Sequence, residues 1–532
     1  MEVITLNARS FYSVVYSGAP SLAPLHSFMR EGQSLCLCSY TVVLRVKEKE
    51  EAAWEQLLTR SYPFLAGLRK RLNPIGPSIF PIEDHIDLIW VRDKDYSTFC
   101  QNYQSIIKNA CCTREEAPPT GAAASEKPWL VRKTVESPVE EVVVVGAGIA
   151  GAVSAYRLAN LGCHVKVIDA AAKLGEGASG NHQGIMYARI GPSLSSQTQL
   201  LYHAFPLATT LLNALDPEGA FSGRGLLQLA YNREETKRQQ KLANYCFSIH
   251  QWLERQQVRC LLALPLDESG LWWPEALWVD PVAWIKRLLH HPHIEYISSS
   301  PIDRLCYQED QWVLYSKQHR WSAEAVVLAL GDDFLGLYAQ LGLNHLRWVS
   351  GQSSLLNEKA FRESIPFALS GEAYITPSYQ GIHTIGATFH PNNHTKEEQI
   401  EDDLANLKAI QKLGIKVDET ALKTGHRGVR LMSFDHLPLI GPVGRAIDMA
   451  DLYHHLYYDR KYSFKTTCPF WPRLYINAAH GSRGLLTAPL GAWAITSDLT
   501  GGPDLLGRDL RAVLHPNRVI ACLLYTSPSP RD

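Results

Sequence analysis

Three glycines, Gly146, Gly148 and Gly151, follow the apolar run "EVVVV" (Glu141–Val145) at once. In the GxGxxG spacing the first glycine allows a tight turn, the second lets the backbone approach a pyrophosphate, and the third lets a helix pack on its strand. "AVSAYRLANLG" (Ala152–Gly162) has helical apolar spacing, and "HVKVIDA" (His164–Ala170) reads as the next strand. Asp169 sits at that strand's end, about 20 residues past the glycines, where an acid binds adenosine ribose hydroxyls. Strand, turn, helix, strand and terminal acid in this order predict dinucleotide binding, with the helix N-terminus facing the phosphates. A glycine-rich turn in a sheet without nucleotide is the competing reading.

Two later segments favour FAD over NAD. "AEAVVLALG" (Ala323–Gly331) is an apolar strand ending at Gly331, of the kind that returns to the nucleotide site in two-domain flavoproteins. "INAAHGSRGLLTAPLGAWAI" (Ile476–Ile495) reads as strand, glycine loop and apolar helix, with His480, Gly481, Ser482, Arg483, Gly484 and Leu485 at the junction. A glycine loop opening a helix aims N–H groups and a positive dipole end at an anion, here the flavin N1–C2=O edge. An ordinary loop-to-helix cap is the alternative.

These motifs need a large α/β unit to hold them. The chain has 532 residues, enough for two or three domains. Its 46% apolar and 20% charged residues are those of a globular protein, and its net charge of -1 gives no bulk argument for a nucleic acid. The 11 cysteines include the close pairs Cys36/Cys38 and Cys111/Cys112, which lack zinc-site spacing, so no metal site is expected and reduced thiols in a cytoplasmic setting are. No apolar run of about 20 residues predicts a membrane span, and no signal-peptide pattern opens the chain.

Residues 1–112 read as a small α/β unit, with strands at Ser39–Val46 and Ile86–Asp93 and a helix beginning at Glu48 in the run to Leu72. "TREEAPPTGAAASEKP" (Thr113–Pro128) has linker composition, and 113–137 is taken as the linker. A large module spans 138–519. Its nucleotide part is expected at about 138–225, 323–350 and 425–519, and its substrate part at about 226–322 and 351–424. Residues 520–532 read as a non-native tail.

"ASGNHQG" (Ala178–Gly184), "WWPEALWVDP" (Trp272–Pro281), "VSGQ" (Val349–Gln352), "GHRGVRLMSFDHLPLIG" (Gly425–Gly441) and "GSRGLLTAPL" (Gly481–Leu490) occur in this order. The set resembles the FAD-dependent oxidoreductase module of the bacterial bifunctional tRNA 5-methylaminomethyl-2-thiouridine synthesis proteins, in the D-amino-acid oxidase/glycine oxidase superfamily. The resemblance covers roughly Lys127–Val519. It implies a Rossmann-type FAD-binding domain with an interleaved antiparallel-sheet substrate domain. It also implies oxidation of the carboxymethylaminomethyl group on the tRNA wobble uridine, leaving aminomethyluridine and glyoxylate, with oxygen as acceptor. Residues 1–112 are too short for the methyltransferase of those proteins, so the methylation step is not supported and a separate methyltransferase is a candidate partner; the unit reads as a remnant, an unrelated domain or an aid to tRNA binding. The unit's only basic cluster, "LRKRLNPIG" (Leu68–Gly76), reads as a solvated helix end or an aid to tRNA binding.

A glycine-like substrate carboxylate calls for an arginine fork. Arg430 and Arg483 are the candidates, with Arg427 a weaker third. Ser179, Asn181 and Gln183 occupy positions where the resemblance implies groups brought toward FAD. His436 and His480 read as structural before catalytic. "GEAYITP" (Gly371–Pro377) and "HTIGATFH" (His383–His390) read as a hairpin whose Tyr374 and Thr388 face either the pocket or the core. A free amino-acid or small-amine oxidase and a non-catalytic flavoprotein are the alternative functions.

Overall fold

The computed structural model describes residues 11–16, 39–103 and 127–526, apart from 75, 84–85, 134, 136, 138, 244–248, 263, 265 and 333–335. Strands are numbered along the chain. The nucleotide half is built on β5 (Glu141–Val145), β6 (His164–Ile168), β11 (Ile294–Ile297), β15 (Ala325–Leu328), β22 (Leu439–Gly444) and β23 (Phe470–Ala478), in the order β11-β6-β5-β15-β23-β22. All pairs are parallel except β22 with β23. Val142–Val145 are buried, as residues of a strand covered on both faces must be. The helices Ile149–Asn160 and Gly484–Thr500 pack against each other on this sheet. The C-terminal ends of β5, β15 and β23 lie side by side, which is where an open α/β sheet takes its ligand.

The second half is a ten-stranded sheet. Its path is β20 (His390–Pro391), β16 (Leu346–Asn357), β19 (Ile382–Gly386), β18 (Tyr374–Ile375), β17 (Ala368–Ser370), β8 (Ser222–Leu229), β10 (Gly270–Val279) and β7 (Gly184–Met186). β21 (Leu422–Ser433) joins β16 and β9 (Gln251–Leu253) joins β10. The hairpin expected from Gly371 to His390 is present as β18 and β19. A meander of β12 (Arg304–Gln308), β13 (Gln311–Tyr315) and β14 (Arg320–Ala323) packs Trp312 and Leu314 onto the nucleotide sheet.

The interleaving is finer than the expected boundaries. β11 lies in the nucleotide sheet, although 226–322 is expected in the substrate part. Conversely, β7 and the start of β8, the first part of β16, and β21 from Gly425 lie in the substrate sheet. The Glu48–Leu72 segment is helical only over Glu51–Ser61, because Pro63 cannot continue an α-helix, and short 3-10 turns follow. Of the linker expected at 113–137, residues 113–126 lie outside the described residues, but Pro128–Leu130 forms a 3-10 turn and Trp129 is buried in the module's core. The tail assignment fails at its start: a helix runs from Asn517 to Thr526, and Ile520 and Ala521 are buried in the core.

The N-terminal unit forms a four-stranded sheet of β1 (Phe11–Tyr16), β2 (Ser39–Val46), β4 (Ile86–Arg92) and β3 (Ser78–Glu83). One face buries Trp54 and Leu58 of its own helix; the other contributes Val43, Ile79, Ile89 and Val91 to the module's core. Polar ties lock that contact. The Arg157 guanidinium reaches buried Asp87 at 2.5 Å, and Trp493 Nε1 donates to the same carboxylate at 2.9 Å. Arg69 and Lys70 of the basic cluster are exposed, but Arg71 is fully buried and donates to Thr210 Oγ1 of the module at 2.9 Å. That cluster is therefore split between solvent and interface. We predict that Asp87→Ala, which removes the carboxylate paired with a buried guanidinium, lowers stability in a denaturant titration by about 3 kcal/mol; a wild-type midpoint would show that the contact does not support the module.

Candidate active site

A cavity of about 760 Å³ opens where the two sheets meet. Its nucleotide end is the glycine turn. Gly146 has φ +106, and a Cβ there would stand 2.7 Å from the Ala329 carbonyl oxygen. A Cβ on Gly151 would overlap the Gly146 carbonyl oxygen, so this glycine sets the helix-to-strand distance and does not line the cavity. Gly148 differs. Its backbone is extended, and the nearest atom to an added Cβ would be Ser179 Oγ at 3.4 Å. The fold tolerates a side chain at Gly148; what requires glycine there is whatever occupies the cavity. Asp169 lines the same end, accepting from the Ala147 and Ala171 N–H groups and so tying the turn to the end of β6. Ser179 accepts from the Ile149 N–H at 3.2 Å at the helix start.

Gly331, Gly481, Ser482, Arg483, Gly484 and Leu485 all line the cavity, as do Asn181 and Ser179. His480 lines it too, but its ring nitrogens meet Thr487 Oγ1 at 2.8 Å and Asn477 Oδ1 at 3.1 Å. Burial pulls its imidazole down to about 3, so it is neutral and anchors the loop. Gln183 does not reach the cavity. Its amide donates to the Pro377 carbonyl and accepts from Thr376 and Thr384 hydroxyls, which ties the start of β7 to the β18–β19 hairpin. His436 sits in an exposed left-handed turn outside the cavity.

The three arginines separate by geometry. Arg427 is buried away from the cavity, 2.5 Å from Asp402 Oδ2 and donating to Ser350 Oγ. Arg483 faces the cavity, but the Gln197 amide, turned oxygen-inward, accepts from its guanidinium. The Arg430 guanidinium faces the cavity with no hydrogen bond or ion pair among the described residues, and desolvation lowers its pKa below the usual arginine value. A half-buried cation with no ion-pair partner among the described residues suits an anionic ligand. Tyr374 and Thr388 both line the cavity, and burial pushes the Tyr374 phenol up to about 12, so it stays a neutral hydrogen-bond donor beside Arg430.

Sequence reasoning missed Tyr187, Arg189, Phe389 and the Lys396–Asp332 ion pair at 2.7 Å, all on the cavity wall. Phe389 is 58% exposed although it follows the anchored Thr388, whose Oγ1 accepts from the Gln352 N–H. Its aromatic character inside the quoted "HTIGATFH" was the available signal.

A dinucleotide cradle at the strand ends of a mixed sheet, joined to an arginine-lined pocket on a second sheet, defines a two-domain flavin oxidoreductase. Residues 141–497 match the family model described as FAD dependent oxidoreductase, and the chain belongs to that family. It is 32% identical over 411 residues to the tRNA 5-methylaminomethyl-2-thiouridine biosynthesis bifunctional protein MnmC of Chromobacterium violaceum, covering 75% of this chain and 62% of that protein. The Pseudomonas fluorescens protein of the same name is 30% identical over 418 residues, covering 76% and 62%. The chain thus spans about three fifths of the length of these relatives. Among solved structures it resembles in fold glycine oxidase from Geobacillus kaustophilus (TM-score 0.54, 19% identity, 68% of this chain and 95% of that one). L-proline dehydrogenase from P. horikoshii is alike to a similar degree (TM-score 0.55, 17% identity, 72% and 98%).

The cradle fits FAD. The open space at Gly148, the helix start at Ile149 and the second glycine loop all border one cavity. We predict that Gly148→Asp yields a folded protein without flavin, since only Ser179 opposes the new side chain while a carboxylate would stand against the pyrophosphate. A purified variant that keeps its yellow flavin spectrum would overturn this assignment.

Proposed function

We propose that the protein oxidatively removes the carboxymethyl group from 5-carboxymethylaminomethyl(-2-thio)uridine at the tRNA wobble position, giving aminomethyluridine and glyoxylate. The observation that carries this is Arg430, without an ion-pair partner among the described residues, in a cavity shared with the FAD cradle. The names of the relatives direct it toward a modified tRNA uridine. Gly146, Gly148, Asp169 and Ser179 would hold the adenosine diphosphate portion of FAD, with Gly151 setting the turn. Gly331, Asn181, Gly481, Ser482, Gly484 and Leu485 would border the rest.

Bound FAD supplies the two-electron oxidation of the amine C–H bond. Arg430 pairs with the substrate carboxylate, fixing the glycine-like carbon in the cavity. Tyr374, neutral at physiological pH, adds a hydrogen bond beside it. Arg483, supported by Gln197, keeps a second cation at the helix start. Neutral His480 takes no proton and holds the Gly481–Gly484 loop. Phe389 offers its exposed ring to the uracil base, a contact that a free amino acid does not need. Oxygen is the proposed electron acceptor and the cytoplasm the proposed place of action.

Nucleoside analysis of tRNA incubated with the enzyme tests the reading. Loss of the carboxymethylaminomethyl nucleoside with gain of aminomethyluridine is expected; peroxide release from glycine or sarcosine with unchanged tRNA would establish the small-amine oxidase instead. Arg430→Ala should retain FAD and lower kcat/KM for the carboxylate-bearing substrate roughly 100-fold. Unchanged kinetics would remove Arg430 from the site.

A further inference from the structure

The segment between β22 and β23 carries an aromatic and basic surface that the cavity chemistry does not use. Among the described residues the exposed tyrosines, Tyr457, Tyr458 and Tyr462, all fall within six positions there. Arg460, Lys461 and Lys465 are exposed beside them, and Asp459 is the one acid from His454 to Lys465. The Asp459 carboxylate accepts from the Lys461 N–H at 2.8 Å, holding the turn that presents these cations.

The surface has a rigid base. Tyr462 packs at an angle against His455, at 4.2 Å, and edge-on against Phe464, at 4.8 Å between ring centroids. Phe464 meets buried Tyr453 at 5.0 Å, and Tyr453 meets buried Trp129 at 5.0 Å. Tyr462 is therefore held before any ligand arrives, and the Tyr458 ring lies 6.1 Å from His455 between centroids. Large rings in water next to lysine and arginine suit a ligand with both flat bases and phosphates. They do not suit an acidic peptide, which would leave the rings without partners.

Position restricts the ligand further. Ala478, at one end of β23, lines the cavity, whereas Phe470, at the other end, follows the tyrosine segment. A strand of this length spans roughly 26 Å. A ligand touching both places is a macromolecule.

We propose that His454–Lys465 is a second docking surface for tRNA, binding phosphates through Arg460, Lys461 and Lys465 and stacking bases or riboses on Tyr457 and Tyr458 while the wobble uridine occupies the cavity. This rests on the tRNA reading above. The test is binding of an in vitro tRNA transcript to the FAD-loaded protein at several salt concentrations. Tyr457→Ala/Tyr458→Ala should weaken binding roughly 10-fold. Lys461→Glu/Lys465→Glu should weaken it at least as much and reduce the log–log salt slope by about 2. Flavin retention controls for folding, and Tyr458→Ala alone, at a side chain 72% exposed, serves if the double variant loses flavin. Wild-type affinity and salt slope in folded variants, while the parent protein converts tRNA, would overturn this surface alone. A parent protein that neither binds nor converts tRNA would overturn the tRNA reading and this surface with it.

Discussion

At the end of β5 the chain turns so closely beneath Ala329 and into the next helix that neither Gly146 nor Gly151 can carry a side chain. The rest of the site depends on that approach. It brings the start of the Ile149 helix to the strand ends, sets Asp169 against the turn, and leaves Gly148 facing open space. Two glycines are there for the fold and one for the ligand. The second glycine loop, at the end of β23, borders the same cavity because β23 lies next to β15, which lies next to β5.

The substrate sheet completes the cavity with charge. Its key residue is Arg430, a desolvated guanidinium that meets no carboxylate among the described residues. Such a group gains when an anion enters the cavity, so the position suits an anionic ligand. Arg427 shows the opposite design on the same strand, bound permanently to Asp402. Gln183 and its threonine partners tie the start of β7 to the β18–β19 hairpin within this sheet.

Much of the nucleotide half was legible because its requirements are local: a valine run, three spaced glycines and an acid at the next strand end. The substrate half was less so. Arg427 and Arg430 are three residues apart on β21, and an odd separation puts them on opposite faces of a strand. Sequence alone says that only one faces the cavity; the pairing of β21 with β16 decides which. The same dependence on remote pairing hid Arg189 and Phe389, and it moved β11 and β16 across the expected boundary. The N-terminal strands were visible as apolar runs, yet nothing local showed that Asp87 and Arg71 would be buried against the module. That unit acts as part of the module's support.

The central claim is that the cavity joins FAD to a carboxylate-bearing amine displayed on tRNA. Anaerobic mixing of the FAD-loaded protein with two tRNA preparations tests it most directly, one carrying carboxymethylaminomethyluridine and one carrying aminomethyluridine. The account predicts loss of the oxidised-flavin absorbance with the first and none with the second. Bleaching by glycine or sarcosine, with neither tRNA having an effect, would contradict it.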